Sequence, residues 1–163
     1  MKIDLTGLFN GSNKKVDIDY APDLSVFNTE LHVENVKVIG CLNSKADVVY
    51  LNLDISFTVN GVCDRCAEKV KKDYSVAVNR IVVDELQNEN DDDNYIIVQN
   101  RELNVDELIN EEIVLSIPSK FLCKEDCKGL CAGCGTNLNV KNCDCKKEVD
   151  PRMAALLQLL DED

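Results

Sequence analysis

FLCKEDCKGLCAGCGTNLNVKNCDC, residues Phe121 to Cys145, contains six of the nine cysteines of this 163-residue chain. The segment has few large apolar side chains, so it cannot bury enough surface to offset the entropy lost when its backbone is ordered. Something other than a hydrophobic core must therefore hold it together. Clustered cysteines separated by glycines predict metal coordination as the stabilising element.

The sharpest motif in this segment is Cys131-Ala-Gly-Cys134, a CxxC pair with Gly133 and Gly135 on either side of its second cysteine. In zinc knuckles the backbone curls so that N–H groups face the sulfurs, and glycine permits the positive φ that this curl needs. Cys143-Asp-Cys145 supplies two more thiols after a short loop. We therefore predict a local four-cysteine Zn²⁺ site made by Cys131, Cys134, Cys143 and Cys145.

Another CxxC pair, Cys63-Asp-Arg-Cys66, lies between two predicted strands. It lacks the helix that follows the redox-active pair of thioredoxin-like proteins, so we interpret it as a metal-binding pair. Together with Cys123 and Cys127 it predicts a second Zn²⁺ site, which would clip the cysteine-rich tail to the β-rich part of the chain. Because Cys127 is equally spaced from Cys123 and Cys131, an exchange of cysteines between the two sites stays open.

Hydrophobic alternation predicts a β-sheet in the first half of the chain. The clearest strand runs from Leu51 to Val59. A second, from Leu31 to Leu42, changes its apolar phase, which predicts a bulge near Glu34-Asn35. We expect Asn43-Ser44-Lys45 to form the hairpin turn between these two strands. Further strands are expected over residues 14–20, 70–83 and 95–98.

Two helices are also predicted. Asn104-Val-Asp-Glu107 has the form of a capping box, and the helix that follows must end before Pro118. Asp150-Pro151 predicts the start of a terminal helix with an apolar stripe. The apolar residues at helical spacing in the first helix are Val105, Leu108, Ile109 and Ile113.

These elements together predict an α+β fold with two parts. Residues 1–120 are expected to form a β-rich domain, mainly an antiparallel sheet or partial barrel with one packed helix near 105–115. Residues 121–163 are expected to form a small cysteine-rich, zinc-binding lobe with the terminal helix.

The chain is acidic, with a formal net charge of −12, and the acidity is uneven: residues 120–152 are formally +2 and the rest −14. Such a chain does not bind nucleic acid through bulk electrostatics. It has no run of about 20 apolar residues to span a membrane. Residues 1–15 also lack the apolar run of a signal peptide. We therefore expect a cytoplasmic protein, in which clustered thiols stay reduced and bind metal.

Several motifs follow one another in a characteristic order. They are CDRC at 63–66, LSIP at 115–118, LCKEDCKGLC at 122–131, CGTNLN at 134–139, CDC at 143–145 and DPRMAAL at 150–156. In this order the chain resembles the YceD family, the large ribosomal RNA subunit accumulation proteins. The resemblance implies a cytosolic factor needed for normal accumulation of large-subunit (23S) ribosomal RNA. The expected partner is a large-subunit precursor, its RNA or a basic ribosomal protein; we expect no membrane and no small-molecule substrate.

We expect this protein to be a non-catalytic ribosome biogenesis factor with structural zinc sites, because closed four-thiolate sites leave no position for a water or a substrate. The one histidine, His32, is interpreted as a sheet-surface residue, and Cys41 as a small buried apolar residue. Two other functions remain open. One is a zinc-thiolate redox sensor that releases its metal on oxidation. The other is an adaptor whose acidic β surface binds a basic ribosomal protein.

Overall fold

The structure, a computed structural model, describes residues 1–22, 32–46, 48–84 and 94–145. The terminal helix predicted from Asp150 lies outside these residues. The elements in chain order are β1 (Lys2–Asp4), α1 (Thr6–Phe9), β2 (Lys15–Tyr20), β3 (His32–Lys45), β4 (Val48–Val62), β5 (Lys69–Val83), β6 (Tyr95–Ile97), β7 (Glu102–Asn104) and α2 (Val105–Ser116).

The main sheet has five strands in the order β2-β3-β4-β5-β6. Strand β3 pairs antiparallel with both β2 and β4, whereas β6 pairs parallel with β5. Strands β1 and β7 form a separate antiparallel pair. The predicted α+β class with a mainly antiparallel sheet is confirmed.

Strand β4 buries one face in the core, because its apolar residues alternate with polar ones. The predicted strand from Leu51 to Val59 is confirmed and is part of the longer β4. Phe57 is buried and stacks on Tyr74 of β5, with ring centroids 5.5 Å apart. The buried apolar side chains of β4 are Val49, Leu51, Leu53, Ile55, Phe57 and Val59.

Strand β3 confirms one sequence expectation and corrects another. Its pairing with β4 shifts register between Glu34 and Lys37, so the predicted bulge is confirmed. The predicted turn at residues 43–45 is wrong, since these residues belong to β3 and pair with residues 48–50. Asn43 also pairs with Lys15 of β2, and this two-sided ladder holds polar residues extended in spite of their turn preference.

Helix α2 confirms the first of the two helices predicted from the sequence. Its four apolar residues at helical spacing are all buried, and it ends at Ser116, before Pro118. The predicted capping box is wrong, because Asn104 is the N-cap but makes no side-chain cap hydrogen bond. The carboxylate of Asp106 instead accepts a hydrogen bond of 2.8 Å from the Tyr20 hydroxyl. An acidic side chain in the first turn still stabilises the helix through its dipole.

The chain forms two compact units. One contains residues 1–61 and 71–119, and the other contains residues 62–70 together with the residues from 120 onward. The tip of the β4–β5 hairpin thus belongs to the same unit as the cysteine-rich tail. This second unit holds all eight cysteines that the sequence predicts as metal ligands.

Candidate metal centre

The first CxxC pair forms a tight turn at the tip of the β4–β5 hairpin. We call residues 63–67 the first knuckle. The N–H of Cys63 donates to the carbonyl of Glu68 at 2.8 Å, and the N–H of Ala67 donates to the carbonyl of Cys63 at 2.9 Å. Ala67 adopts a positive φ of 57°. This turn points Cys63 and Cys66 the same way, and both are buried.

The second CxxC pair repeats this geometry. In the second knuckle, residues 131–135, the N–H of Cys131 donates to Thr136 at 2.8 Å and the N–H of Gly135 donates to Cys131 at 2.9 Å. Gly135 has a positive φ of 70°. Gly133 does not, so the expectation that both glycines supply a positive φ holds for Gly135 alone. A Cβ at Gly133 would lie 3.6 Å from the Cβ of Cys145.

The structure brings Cys63, Cys66, Cys123 and Cys127 together, and we call them the first group. Their sulfurs all lie within 4.8 Å of one another. The Cys63 and Cys127 sulfurs are 3.8 Å apart, and those of Cys66 and Cys123 are 3.7 Å apart. Val70 and Leu122 pack against this cluster. Three of the four cysteines of the first group are therefore buried, and Cys123 is half-buried.

Side chains inside the first knuckle hold the tail beside it. Asp64 accepts a hydrogen bond of 2.6 Å from the N–H of Phe121, and its own N–H donates to the Phe121 carbonyl at 2.9 Å. The guanidinium of Arg65 donates to the carbonyl of Cys127 at 2.8 Å. The carbonyl of Arg65 accepts a hydrogen bond of 3.0 Å from Leu130. These contacts place Cys123 and Cys127 opposite the hairpin cysteines.

The remaining four predicted ligands, Cys131, Cys134, Cys143 and Cys145, form the second group, whose sulfurs also lie within 4.8 Å of one another. The Cys131 and Cys143 sulfurs are 3.1 Å apart. Cys134 and Cys145 are exposed to solvent, and the other two are half-buried. The second group is therefore open to solvent on one side.

The sulfurs of the first group shift one another's pKa in opposite directions. Burial raises the pKa of Cys63, but backbone hydrogen bonds around its sulfur outweigh burial and lower the pKa to about 6. A backbone hydrogen bond at Glu68 lowers the pKa of Cys66, yet burial and the neighbouring thiols raise it to about 12. Burial also raises the pKa of Cys123. Burial likewise raises the pKa of Cys127, but the Asn139 amide and other donors outweigh burial and lower it.

The second group shows the same division. Hydrogen bonds from the Thr136 side chain and backbone lower the pKa of Cys134 to about 6. The neighbouring thiols raise the pKa of Cys145 to about 12 and also raise that of Cys143. Each group thus confines thiolates, whose negative charges repel one another, together with thiols that still carry their protons. A cation that replaces the remaining protons removes this repulsion, so each group could hold a metal ion.

Two further residues that the sequence singled out lie outside both groups. Cys41 is half-buried on β3, and its sulfur lies 3.1 Å from the Asn43 amide nitrogen, which donates to it. The expectation that Cys41 is a buried apolar residue is therefore wrong, because a polar neighbour on its own strand contacts the sulfur. His32 is exposed at the start of β3 and agrees with the expected surface position.

Sequence reasoning did not assign roles to Asp64, Arg65 or Asn139. Their contacts join positions about 60 residues apart or belong to a loop without regular periodicity, so no local pattern predicts them. The one available signal was the presence of two charged residues, Asp64 and Arg65, between the cysteines of the first CxxC pair.

Among the described residues, no helix is both long and apolar enough to span a membrane.

Comparison with known proteins identifies relatives of the chain. The model of the YceD family, described as large ribosomal RNA subunit accumulation protein YceD, matches residues 51–160. The uncharacterized protein YlbN of Bacillus subtilis is 28% identical over 148 residues, which cover 86% of this chain and 84% of YlbN.

Two other relatives match shorter segments. The chloroplastic large ribosomal RNA subunit accumulation protein YCED homolog 1 of Arabidopsis thaliana is 38% identical over 48 residues, 29% of this chain and 15% of that protein. The uncharacterized protein Mb2951c of Mycobacterium bovis is 27% identical over 103 residues, 61% of this chain and 50% of that protein. No solved structure gives a significant match.

Proposed function

Because the chain belongs to the YceD family of large ribosomal RNA subunit accumulation proteins, we propose that it is a non-catalytic ribosome biogenesis factor. It supports the accumulation of large-subunit (23S) ribosomal RNA in the cytoplasm. The family match over residues 51–160 carries this proposal. That match includes both CxxC pairs, so the candidate metal centre lies within the family's own part of the chain.

The proposed metal is Zn²⁺ in both groups. Four sulfurs at a Zn–S distance of about 2.3 Å form a tetrahedron with edges of about 3.8 Å. The sulfur separations of 3.8 Å and 3.7 Å in the first group fit these edges, whereas the Cys131–Cys143 separation of 3.1 Å in the second group is shorter. Thiolates in CxxC frames favour Zn²⁺ or iron–sulfur clusters, so metal analysis of the purified protein decides between them.

The metal sites are proposed to be structural. When four thiolates bind one Zn²⁺, they fill a tetrahedral shell and leave no position for a catalytic water. The first group joins cysteines 57 and 64 residues apart in the chain. A bond across such a separation restricts the unfolded chain and stabilises the second compact unit.

The proposed direct partner is a basic ribosomal protein of the large-subunit precursor. The formal net charge of −12 favours a cationic protein surface over RNA phosphates. Each Zn²⁺ held by four thiolates carries a net −2, so metal loading makes the chain more acidic still.

The test is sedimentation of cell lysate through a sucrose gradient, with the protein followed by antibody and 23S RNA measured before and after its depletion. We expect co-migration with free large-subunit particles or their precursors, and a fall in 23S RNA on depletion. Expression of the Cys41→Ser variant in the depleted cells should restore the 23S RNA level, because Cys41 lies outside both groups. Expression of the Cys63→Ser variant should not restore it. Sedimentation at the top of the gradient with unchanged RNA would contradict the proposal.

A second candidate function, a redox sensor, draws support from the exposure of Cys134 and Cys145. Solvent-exposed thiolates are the ones that oxidants reach first. In this function, mild peroxide releases zinc reversibly and changes the conformation of the second unit. Retention of zinc under peroxide that oxidises free thiols would rule the sensor function out.

A further inference from the structure

The loop between Cys134 and Cys143, residues 135–142, belongs to the second group but contacts the first. We call it the bridging loop. The Asn139 side-chain amide donates a hydrogen bond of 3.2 Å to the sulfur of Cys127. Cys127 is buried, with 2% of its surface exposed. A side chain from one group's loop therefore reaches a buried sulfur of the other group.

The Asn139 side chain is held in place on every polar atom. Its Oδ1 accepts a hydrogen bond of 2.9 Å from the N–H of Lys128. Its amide nitrogen donates at 2.9 Å to the Oδ1 of Asn137, and its backbone N–H donates to the same oxygen at 3.0 Å. The amide that contacts Cys127 is thus oriented by the fold of the bridging loop.

Asn137 attaches the same loop to Glu68, the residue that follows the first knuckle. Its side-chain amide donates to the carboxylate of Glu68 at 2.9 Å. The other carboxylate oxygen of Glu68 lies 3.9 Å from the sulfur of Cys66. The N–H of Leu138 also donates to the carbonyl of Gly129 at 2.9 Å. The bridging loop therefore contacts the Cys127 sulfur directly and reaches Cys66 indirectly, through Glu68.

Cysteines of the second group flank this loop on both sides. Cys134 precedes the loop and Cys143 follows it, and the residues between them include few apolar side chains. A loop of this composition gains little from burial, so a bond between its ends contributes much of its order. A metal ion in the second group would supply that bond. Without the ion, the loop keeps its hydrogen bonds to Lys128 and Glu68 but loses the bond between its ends, so the Asn139 amide is positioned less firmly on Cys127.

We propose that Asn139 couples the two groups: metal in the exposed second group positions the Asn139 amide on Cys127 and strengthens metal binding by the buried first group. An N–H donor on a thiolate disperses its charge, and such outer contacts are worth about 10–100-fold in metal affinity. By reciprocity, metal in the first group strengthens binding in the second by the same factor. Because solvent reaches the second group, a chelator that empties it also loosens the first.

This inference rests on metal binding by both groups, and a double-mutant cycle tests it. The full chain is titrated with Zn²⁺ against a chelating indicator in four forms: wild type, Asn139→Ala, the pair Cys134→Ser and Cys145→Ser, and all three changes together. We expect Asn139→Ala and the cysteine pair each to weaken the first site by about 10-fold. The triple variant should bind metal at the first site no more weakly than either single change, because both changes remove the same contact.

The loss is assigned to a site by cadmium-113 NMR of the cadmium-loaded protein, in which each loaded group gives its own resonance. Asn139→Ala should shift the first group's resonance. Asn142→Ala is the matched control, because Asn142 is exposed in the same loop and makes no hydrogen bond to any residue that the structure describes. It should leave both affinities within about twofold, since no contact to either group is lost.

Should Asn139→Ala fail to fold, Asn139→Asp keeps the acceptor for Lys128 but loses the donor to Cys127. It should weaken the first site more than 10-fold, since a carboxylate then faces a thiolate. Losses that multiply in the triple variant would overturn the coupling, as would an unchanged first-site affinity in both Asn139 variants. A wild-type chain that binds no metal would instead refute the zinc sites of the proposed function and the coupling with them.

Discussion

The two CxxC knuckles have the same backbone fold but different surroundings. In each, the residue after the second cysteine donates to the carbonyl of the first at 2.9 Å, and the first cysteine donates to a carbonyl five residues on at 2.8 Å. Both cysteines of the first knuckle are buried, whereas the second has two exposed sulfurs in its group. The CxxC spacing is sufficient for the turn and does not determine its burial.

The difference comes from the two residues between the cysteines. Asp64 and Arg65 in the first knuckle bind the backbone of Phe121 and Cys127. The corresponding residues of the second knuckle are Ala132 and Gly133, whose side chains cannot make such bonds. Local spacing therefore groups the sulfurs, and the intervening side chains decide whether a group is enclosed by other parts of the chain.

The largest expected effect is loss of a ligand. Cys63→Ser and Cys134→Ser should each bind one metal ion instead of two, measured by native mass spectrometry. Structural zinc contributes about 10–16 kcal/mol in small zinc-binding domains. Emptying the first group should therefore abolish hydrogen-exchange protection of residues 62–70, whereas emptying the second should leave most of it.

The matched control is Cys41→Ser, which should keep both ions because Cys41 is half-buried outside either group. If Cys63→Ser loses both ions, or neither, the assignment of the eight cysteines to two separate groups is wrong.

The pH dependence of metal binding should be similar for the two groups in spite of their different burial. The pKa is about 12 for Cys66 and Cys145, and it is raised for Cys123 and Cys143. At neutral pH each empty group therefore keeps at least two protons, which a metal ion must displace. Binding should strengthen about 100-fold for each unit of rising pH, measured by Zn²⁺ titration from pH 7 to 8.

Below pH 6 the dependence should become steeper. Cys63 and Cys134 have a pKa of about 6, so they gain a proton in the empty groups as the pH falls through this value. A third proton is then displaced at each site. A slope of about four protons per metal at neutral pH would show that the sulfurs titrate as ordinary thiols and do not interact as the structure places them.

Removing the Asp64 carboxylate should loosen the first knuckle. Asp64→Ala loses the hydrogen bond to the Phe121 N–H, and a bond to a charged group contributes about 1.5–3 kcal/mol. Exchange of the Leu130 amide, which donates to Arg65, should accelerate accordingly. Asp126→Ala is the control, because its exposed pair with Lys124 contributes about 0–1 kcal/mol. Equal effects of the two changes would show that the Asp64 contact does not hold the tail.

The smallest effect concerns the residue after each pair. Gly135→Ala should destabilise the second knuckle by about 1 kcal/mol, since its φ of 70° strains a side chain although no atom lies within 4 Å of the added Cβ. Ala67→Gly should stabilise the first knuckle by about 0.5 kcal/mol, because relief of strain exceeds the added chain entropy. Denaturant titration of the metal-loaded protein measures both. If Gly135→Ala stabilised the protein and Ala67→Gly destabilised it, the positive φ would not be required.

Strand positions could be predicted wherever apolar and polar residues alternate over a long stretch of the chain. Leu51 to Val59 shows the period of two, and the phase change in the strand from Leu31 predicts the bulge that the structure has between Glu34 and Lys37. Turn preference at residues 43–45 failed, because pairing on both sides of β3 outweighs it. The capping box at Asn104 failed because the Asn104 side chain makes no cap hydrogen bond.

The sequence alone determined the elements whose causes are local. Apolar alternation specifies strands, and CxxC spacing specifies two turns that point pairs of sulfurs the same way. The cysteine spacing also predicted the two groups, except that it left the place of Cys127 open. The tertiary structure alone decided that Cys127 belongs to the first group, how deeply each group is buried, and that Asn139 contacts Cys127. These features depend on contacts between residues far apart in the chain or on the path of an irregular loop. No periodic pattern in the sequence encodes such contacts, because they arise only when the chain has folded.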